Sequence, residues 1–561
     1  MKCDCLSQNE TLPKANRMTV SLVILCALFS TSLGNQIRNA SVTYNDISNK
    51  FTVHDGIVDT AVAFGHFKDE IFLTGWSYLE IKSKASFPDS VQAYAAGLVE
   101  GYLTADLIRK HWNNIAADYC KGEEAYCKRL KSFLQKNLDF ISQNVKTKRS
   151  CDIYWHHVAL TLEQLHGLED GYKNITSQPS VKVDPMGLLL LNVVGDRFDL
   201  EVVLRRENQE ALGEGRCSAL VKVLPNNKDI YFTHNSWTTF STMLRTLKKY
   251  SLNYHTSLAP GSPVIPGHTY SFSSQPGLLF SEDDFYLIST GLATMETTIK
   301  NDNASLWKYV VPDQIILEWQ RNIIANRLAK TGKQWVSIFG IMNSGTYNNQ
   351  WMILDYNKFQ PGKPLENGLL WILEQLPGYV KCADVTDVLR RQNYWPSYNT
   401  AYFKDIFNIS GQPEKVKKYG DFFTYEKAPR ALIFKRDHDK VTDVQSLIKL
   451  MRYNDYTRDP LSKCNCTPPY SAHNAISARD DLNPANGTYP ITSLGHSPFG
   501  AIDLKVTTSE LFKNLEFVAI AGPTYDPLPP FQWSKTDFDI TVKHEGQPDL
   551  WKFKPIVHKW M

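Results

Sequence analysis

The chain has 561 residues, 43% of them apolar and 21% charged, and a net charge of +3. That is enough chain for a sizeable core, in one large fold or several average domains. The lack of low-complexity tracts argues against a disordered polymer, and the near-neutral charge, with no long Lys/Arg block, leaves no electrostatic case for a nucleic-acid partner.

In chain order, the first signal is Lys14 and Arg17 ahead of the apolar run Val20 to Phe29, which ends in small residues at Ser32 and Gly34. The run falls short of the roughly 18 residues needed to cross a bilayer, and its flanks fit a signal peptide over residues 1–34. No transmembrane segment is expected after it. Sequons at Asn39, Asn174, Asn303, Asn408, Asn465 and Asn486 agree with passage through the secretory pathway, so a luminal or secreted glycoprotein is expected.

Residues Ser41 to Ile81 alternate apolar and polar side chains between short turns, which predicts a group of strands. Helices follow from Asp89, over Leu130 to Val145 and over Ile153 to Leu168. The stretch Asp199 to Arg216 is dense in charge and closes on Gly213 and Gly215, the texture of an exposed, cleavable connection or of a solvated helix with a glycine cap. From Cys217 the pattern turns to strands: Cys217 to Leu224, a turn at Pro225 to Asp229, then Ile230 to Trp237. Folding this hairpin about its turn sets Cys217 opposite the stretch His234 to Trp237. A second hairpin is predicted from Trp335 to Met342 and Trp351 to Tyr356, joined by the amide-rich segment Asn343 to Gln350. Strands and helices without a β-α-β alternation indicate an α+β layered fold with largely antiparallel sheets.

Cysteine usage narrows the chemistry. Beyond the signal peptide stand Cys120, Cys127, Cys151, Cys217, Cys382, Cys464 and Cys466, an odd number. In an oxidising compartment an unpaired thiol is a dimer link, a buried inert residue or a nucleophile. Cys120 and Cys127 are near enough to pair, whereas a Cys464–Cys466 bridge would be strained. The chain lacks a Gly-x-Ser-x-Gly elbow, a His-Glu-x-x-His helix, a Walker A loop and paired Cys-x-x-Cys spacing, so serine-lipase and zinc chemistry lose ground and no metal or cofactor is expected. His156, His157 and His438 read as packing or surface residues. Two arrangements suit Cys217: a papain-like Cys/His/Asn site, and an N-terminal nucleophile that cuts the Arg216–Cys217 bond and then uses its own new amine as base.

Six segments carry a resemblance: Ala95 to Thr104, Tyr154 to Val158, Gln164 to Tyr172, Asn343 to Trp351, Glu374 to Gly378 and Pro523 to Trp533. In this order they are similar to the phospholipase B-like family over nearly the whole mature chain. The resemblance implies an N-terminal nucleophile hydrolase fold, an αββα sandwich of two stacked antiparallel sheets between helical layers. It implies one domain made of two fragments, residues 35–199 and 217–561, with 200–216 trimmed on maturation. It implies a lysosomal or secreted location and an acyl hydrolase releasing fatty acids from glycerophospholipids through a Cys217 thioester. An amidase acting on N-acylated lipids or peptides, or a catalytically silent lipid-binding glycoprotein, are the alternatives. The partners are then a phospholipid or N-acyl substrate and, as a homodimer, a second copy of the chain. Carried over by position, Cys217, His234, Asn399 and Arg430 are catalytic, Asn399 as an oxyanion donor and Arg430 as holder of an anion or the thiolate; Trp237 and Thr290 line the pocket.

Overall fold

Twenty strands organise the residues described by the computed structural model, which are 36–207, 217–259 and 261–561. The predicted signal peptide and Arg216 lie outside them. The first strands are β1 (Arg38–Asn45), β2 (Lys50–Asp55), β3 (Ala63–Glu70) and β4 (Trp76–Ser83), as the alternating pattern predicts. Next come β5 (Cys217–Val223), β6 (Ile230–Thr239), β7 (Thr246–Ser251), β8 (Thr269–Ser274), β9 (Phe285–Ile288) and β10 (Leu292–Thr298). They are followed by β11 (Asn349–Asp355), β12 (Leu370–Leu376), β13 (Tyr379–Asp384), β14 (Tyr394–Ser397), β15 (Phe499–Ala501), β16 (Asp503–Thr507) and β17 (Val518–Ala521). The last are β18 (Phe531–Gln532), β19 (Leu550–Trp551) and β20 (Ile556–Val557).

Eleven strands form one sheet in the order β13-β12-β11-β10-β9-β8-β7-β4-β3-β1-β2. A seven-stranded sheet runs β14-β5-β6-β16-β17-β20, with β15 also on β6. Neighbours are antiparallel except β4 and β7. The chain leaves the large sheet after β4 and contributes the β5–β6 hairpin to the small one before returning, so that one junction is parallel within the largely antiparallel sheets expected.

Apolar faces stack the layers. Ala219, Val221 and Phe232 of the small sheet meet Phe285, Leu287, Met295 and Met352 of the large sheet in a core between the two. The outer face of the large sheet packs on α1 (Asp89–Ile115), and α2 (Glu124–Lys148) and α1 both pack on α3 (Ile153–Lys173). Further along lie α4 (Val194–Val203), α5 (Glu318–Leu328), α6 (Gly332–Phe339), α7 (Pro429–Asp437) and α8 (Val444–Met451). The last two cover the outer face of the small sheet through Ile433, Phe434, Leu447 and Met451. The result is the four-layered αββα arrangement that the sequence led us to expect. Two of the family-like segments have a packing explanation: a Cβ at Gly97 would stand 1.9 Å from the Gln164 carbonyl oxygen, and one at Gly167 would stand 2.1 Å from that of Tyr94. Only glycine lets α1 and α3 approach so closely.

The second hairpin is a misreading. Trp335 lies in α6, whose N-terminus is capped by Thr331 accepting from the Gln334 amide. Trp335 and Phe339, one helical turn apart, stack at 4.9 Å and both lie against Trp351. A short apolar run does not distinguish helix from strand, and here the i, i+4 aromatic pair decides. β11 instead pairs with β10 and β12. Part of the expected 200–216 linker is also structured: Leu200 to Val203 complete α4, and Arg206 pairs with Glu201 at 2.6 Å. Residues 208–216 lie outside the described ones.

Cys120 pairs with Cys127, as their spacing allows, and Cys464 with Cys466, a bridge that their spacing counted against. Among the described residues three cysteines are free: Cys151 and Cys382, exposed, and Cys217, buried. Among the sequon asparagines, Asn39, Asn174, Asn408, Asn465 and Asn486 are exposed, whereas Asn303 is half-buried with its Nδ2 donating to the Ile409 carbonyl. No helix among the described residues is long and apolar enough to cross a membrane.

Candidate active site at Cys217

Cys217 begins β5, every residue of which is buried. The predicted hairpin forms, and its register sets Cys217 against Ser236 and Ala219 against His234. Side chains alternate across a strand, so Cys217, Ser236 and His234 share the face turned toward the large sheet, while Asn235 and Trp237 take the other. Cys217 is 5% exposed. Burial pushes its thiol well above the usual value; Glu296 and Glu282 reinforce this, while the Trp237 amide and Lys505 oppose it.

The backbone of Cys217 is held at both ends. Its amide nitrogen donates to Asn399 Oδ1 at 3.4 Å, and its carbonyl accepts from Arg430 Nη1. Arg430 also donates from Nη2 to Asn399 Oδ1 at 2.8 Å and lies 4.3 Å above the Trp237 ring. Two donors converge on Asn399 Oδ1, which fixes the orientation of its amide. Asn399 Nδ2 then donates to the Thr298 carbonyl at 2.8 Å. The side chain therefore turns oxygen, not nitrogen, toward Cys217, a different task from the oxyanion donation anticipated. Asn399 sits at φ 68°, a left-handed conformation asparagine tolerates. Arg430 is 9% exposed, and no carboxylate among the described residues pairs with it. Burial lowers its pKa to about 9, while Cys217 and Tyr398 pull the other way.

His234 is fully buried and its Nε2 donates to the Glu296 carbonyl at 2.8 Å. Burial, with Lys505 nearby, drops its pKa well below the ordinary value, so the ring is neutral and Nδ1 carries the lone pair. Nδ1 has no hydrogen-bond partner.

Thr290 is not brought to the site. It occupies the turn before β10, where its carbonyl accepts from Asn357. The opposite end of β10 does reach the site: Thr297 Oγ1 accepts from the Asn399 amide at 3.4 Å, and Thr298 holds its side chain. Thr297 also bonds Ser397 Oγ at 2.7 Å, Ser397 donates to Gln350 Oε1, and Gln350 donates to Glu374. The amide-rich segment thus supports Asn399 from behind. No spacing rule links residues 297, 350, 374 and 399, and sequence reasoning missed the chain.

Beside Cys217 lies a fully buried network on β16. Lys505 Nζ contacts Asp503 at 2.8 Å, Asp503 pairs with Arg245 at 2.7 Å, and Arg245 pairs with Asp283. His156 meets Asp89 at 2.8 Å and His438 stacks on Tyr394, structural roles for both. No group of three or more His, Cys, Asp or Glu among the described residues is arranged to hold a metal.

Comparison with known proteins matches the Phospholipase B family model over residues 63–558. The chain is 47% identical to a phospholipase B-like 2 protein of Rattus norvegicus over 531 residues, 93% of this chain and 90% of that protein. A phospholipase B-like 2 protein of Homo sapiens gives the same identity and coverage. Phospholipase B-like protein B of Dictyostelium discoideum is 37% identical over 515 residues, 90% of this chain and 86% of that protein.

Proposed function

The chain belongs to the phospholipase B family, and on that premise we propose that it is a luminal or secreted acyl hydrolase, activated by breaking its own backbone before Cys217. The observation that carries this reading is the grip on Cys217: its nitrogen rests on Asn399 Oδ1 and its carbonyl on Arg430, where a new N-terminal residue would need to be held.

In self-cleavage the thiol gives up its proton and sulfur adds to the carbonyl carbon of Arg216. The C–N bond breaks, the Cys217 nitrogen takes a proton, and water hydrolyses the thioester. The freed α-amine, ordinarily titrating at about 7.7–8.0, then becomes the base that accepts the thiol proton. Burial and the adjacent Arg430 favour its neutral form at mildly acidic pH. The sulfur attacks the ester carbonyl of a glycerophospholipid, the glyceryl oxygen leaves with a proton, and water releases the fatty acid from the thioester. Asn399 orients the amine. The donors of Arg430 are committed to the Cys217 carbonyl, Ser218 and Asn399, so it holds the backbone of Cys217 in place and is not free to bind a substrate anion. Trp237 backs Arg430 through its ring.

The test is intact mass and N-terminal sequencing of the secreted protein, with fatty-acid release from phosphatidylcholine vesicles. Wild type should yield two chains, one beginning at Cys217. Cys217→Ala should remain a single chain with release at least 100-fold lower. A protein uncut before Cys217 overturns the nucleophile, and a cut protein that hydrolyses N-acyl amides but no ester overturns the phospholipase.

A further inference from the structure

Self-cleavage poses a difficulty that turnover does not: before the bond breaks, the α-amine is still an amide and cannot assist sulfur. Burial meanwhile holds the thiol in its neutral form. Some other group must favour negative charge on sulfur as it forms.

Lys505 is placed to do so. It lies on β16 opposite His234 in the ladder with β6, and is 0% exposed. Its ammonium donates to both Asp503 oxygens, at 3.0 and 2.8 Å, and to Ser236 Oγ at 2.8 Å. Ser236 is the residue across the hairpin from Cys217. The Ser236 amide in turn donates to Asp503 Oδ1 at 2.9 Å. Thus Lys505, Asp503 and Ser236 form a closed set built around the position facing the thiol. A structural ion pair would need Asp503 alone; Ser236 is the contact that aims the ammonium at the site.

We propose that Lys505 is a positioning residue for Cys217, delivering its charge through Ser236 so that the thiolate forms during self-cleavage and in the mature protein. This rests on Cys217 being the nucleophile. The proton leaves sulfur, the C–N bond before Cys217 breaks with its nitrogen protonated, and Lys505 keeps its own protons throughout.

The groups acting on this ammonium are Asp503 on its own strand, Arg245 before β7, itself paired with Asp283 before β9, and Cys217 on β5, while His234 on β6 lies opposite it in the ladder. Glu296 on β10 and Glu282 before β9 act on the thiol in the opposite sense. Burial lowers the Lys505 pKa to about 8, with Asp503 opposing the drop and Arg245 adding to it, so the ammonium keeps its charge at mildly acidic pH. A fixed positive charge here is preorganised for developing negative charge on sulfur.

The experiment reads the pH dependence of two events in the full chain: conversion to two fragments, and iodoacetamide alkylation of mature Cys217 located by mass. Lys505→Met should move both midpoints up by about one pH unit or more, an alkylation rate about tenfold lower below the midpoint. Ser236→Ala, a small change that leaves the Lys505–Asp503–Arg245 charges intact, should shift them the same way by less. Unchanged midpoints in Lys505→Met overturn the proposal; if that variant does not fold, unchanged midpoints in Ser236→Ala do so. Wild type that is never cut before Cys217 sinks the nucleophile itself, whereas normal cleavage in wild type with indifferent variants sinks only Lys505.

Discussion

Two clusters of buried charge flank Cys217, and they obey opposite rules. On the small-sheet side, Lys505, Asp503, Arg245 and Asp283 balance cation against anion at full burial. Lys505 and Arg245 outweigh the cost of burial and hold the Asp503 carboxyl below its usual value. On the helical side of the large sheet, Asp196 and Glu318 lie near the guanidinium of Arg321, and Glu318 also acts on Asp284 and Glu296. Burial raises Asp196, Asp284 and Glu318, repulsion from neighbouring carboxylates adds to it at Asp284 and Glu318, and Asp284 shares a hydrogen bond with Glu296. Compensated charges stay ionised in a protein interior; uncompensated ones take up protons. Cys217 therefore sits between a fixed electrostatic scaffold and a proton-holding one.

The comparison breaks most readily at Asp503. Asp503→Asn leaves Lys505 and Arg245 with Asp283 as the remaining carboxylate of the network, and unfolding free energy should fall by about 3–5 kcal/mol in chemical denaturation. A smaller loss would mean the network is not held by charge.

Asp196 tests the other cluster through pH. Its folded pKa of about 6 lies above the ordinary 3.8, so the folded state binds the proton more tightly than the unfolded chain. Its contribution is fully present below 3.8 and is lost as pH rises through about 6, amounting to roughly 3 kcal/mol by neutral pH. Wild type should therefore gain stability relative to Asp196→Asn as pH falls from 7.5 toward 4, and parallel profiles would show that Asp196 is ionised throughout.

Glu318→Gln should change stability by less than about 1 kcal/mol at pH 7, because burial and the nearby Asp196 raise Glu318 well above the usual carboxylate range and favour the neutral form the amide mimics. A penalty near that of Asp503→Asn would erase the distinction between the clusters. The smallest expected effect is at Thr290, whose side chain is remote from Cys217: Thr290→Ala should leave self-cleavage and stability within about 0.5 kcal/mol of wild type.

The Cys217–His234 neighbourhood was legible because a five-residue turn leaves little freedom in the register of a hairpin, and the formed register lies within the predicted window. The α1 and α3 helices were legible from apolar spacing, though they extend beyond the predicted ends. The 335–342 segment was not, since a short apolar run suits a strand as well as a helix until Trp351 packs against Trp335 and Phe339. Asn399 and Arg430 came from family resemblance and not from any pattern in their own surroundings.

What the amino-acid order determined was local: the strand-turn-strand that opens on Cys217, the glycine pairs that let two helices touch, and the cysteines close enough to bridge. What tertiary structure decided was which distant groups stand around that cysteine. Lys505 reaches Ser236, Asn399 turns its oxygen to the Cys217 nitrogen, and Arg430 is buried beside it without a carboxylate partner among the described residues. Those contacts join strands and helices separated by up to 269 residues. Local propensity and hydrophobic periodicity act over a few residues and carry no information about them; sheet stacking does, by bringing strand ends from both halves of the chain to one place.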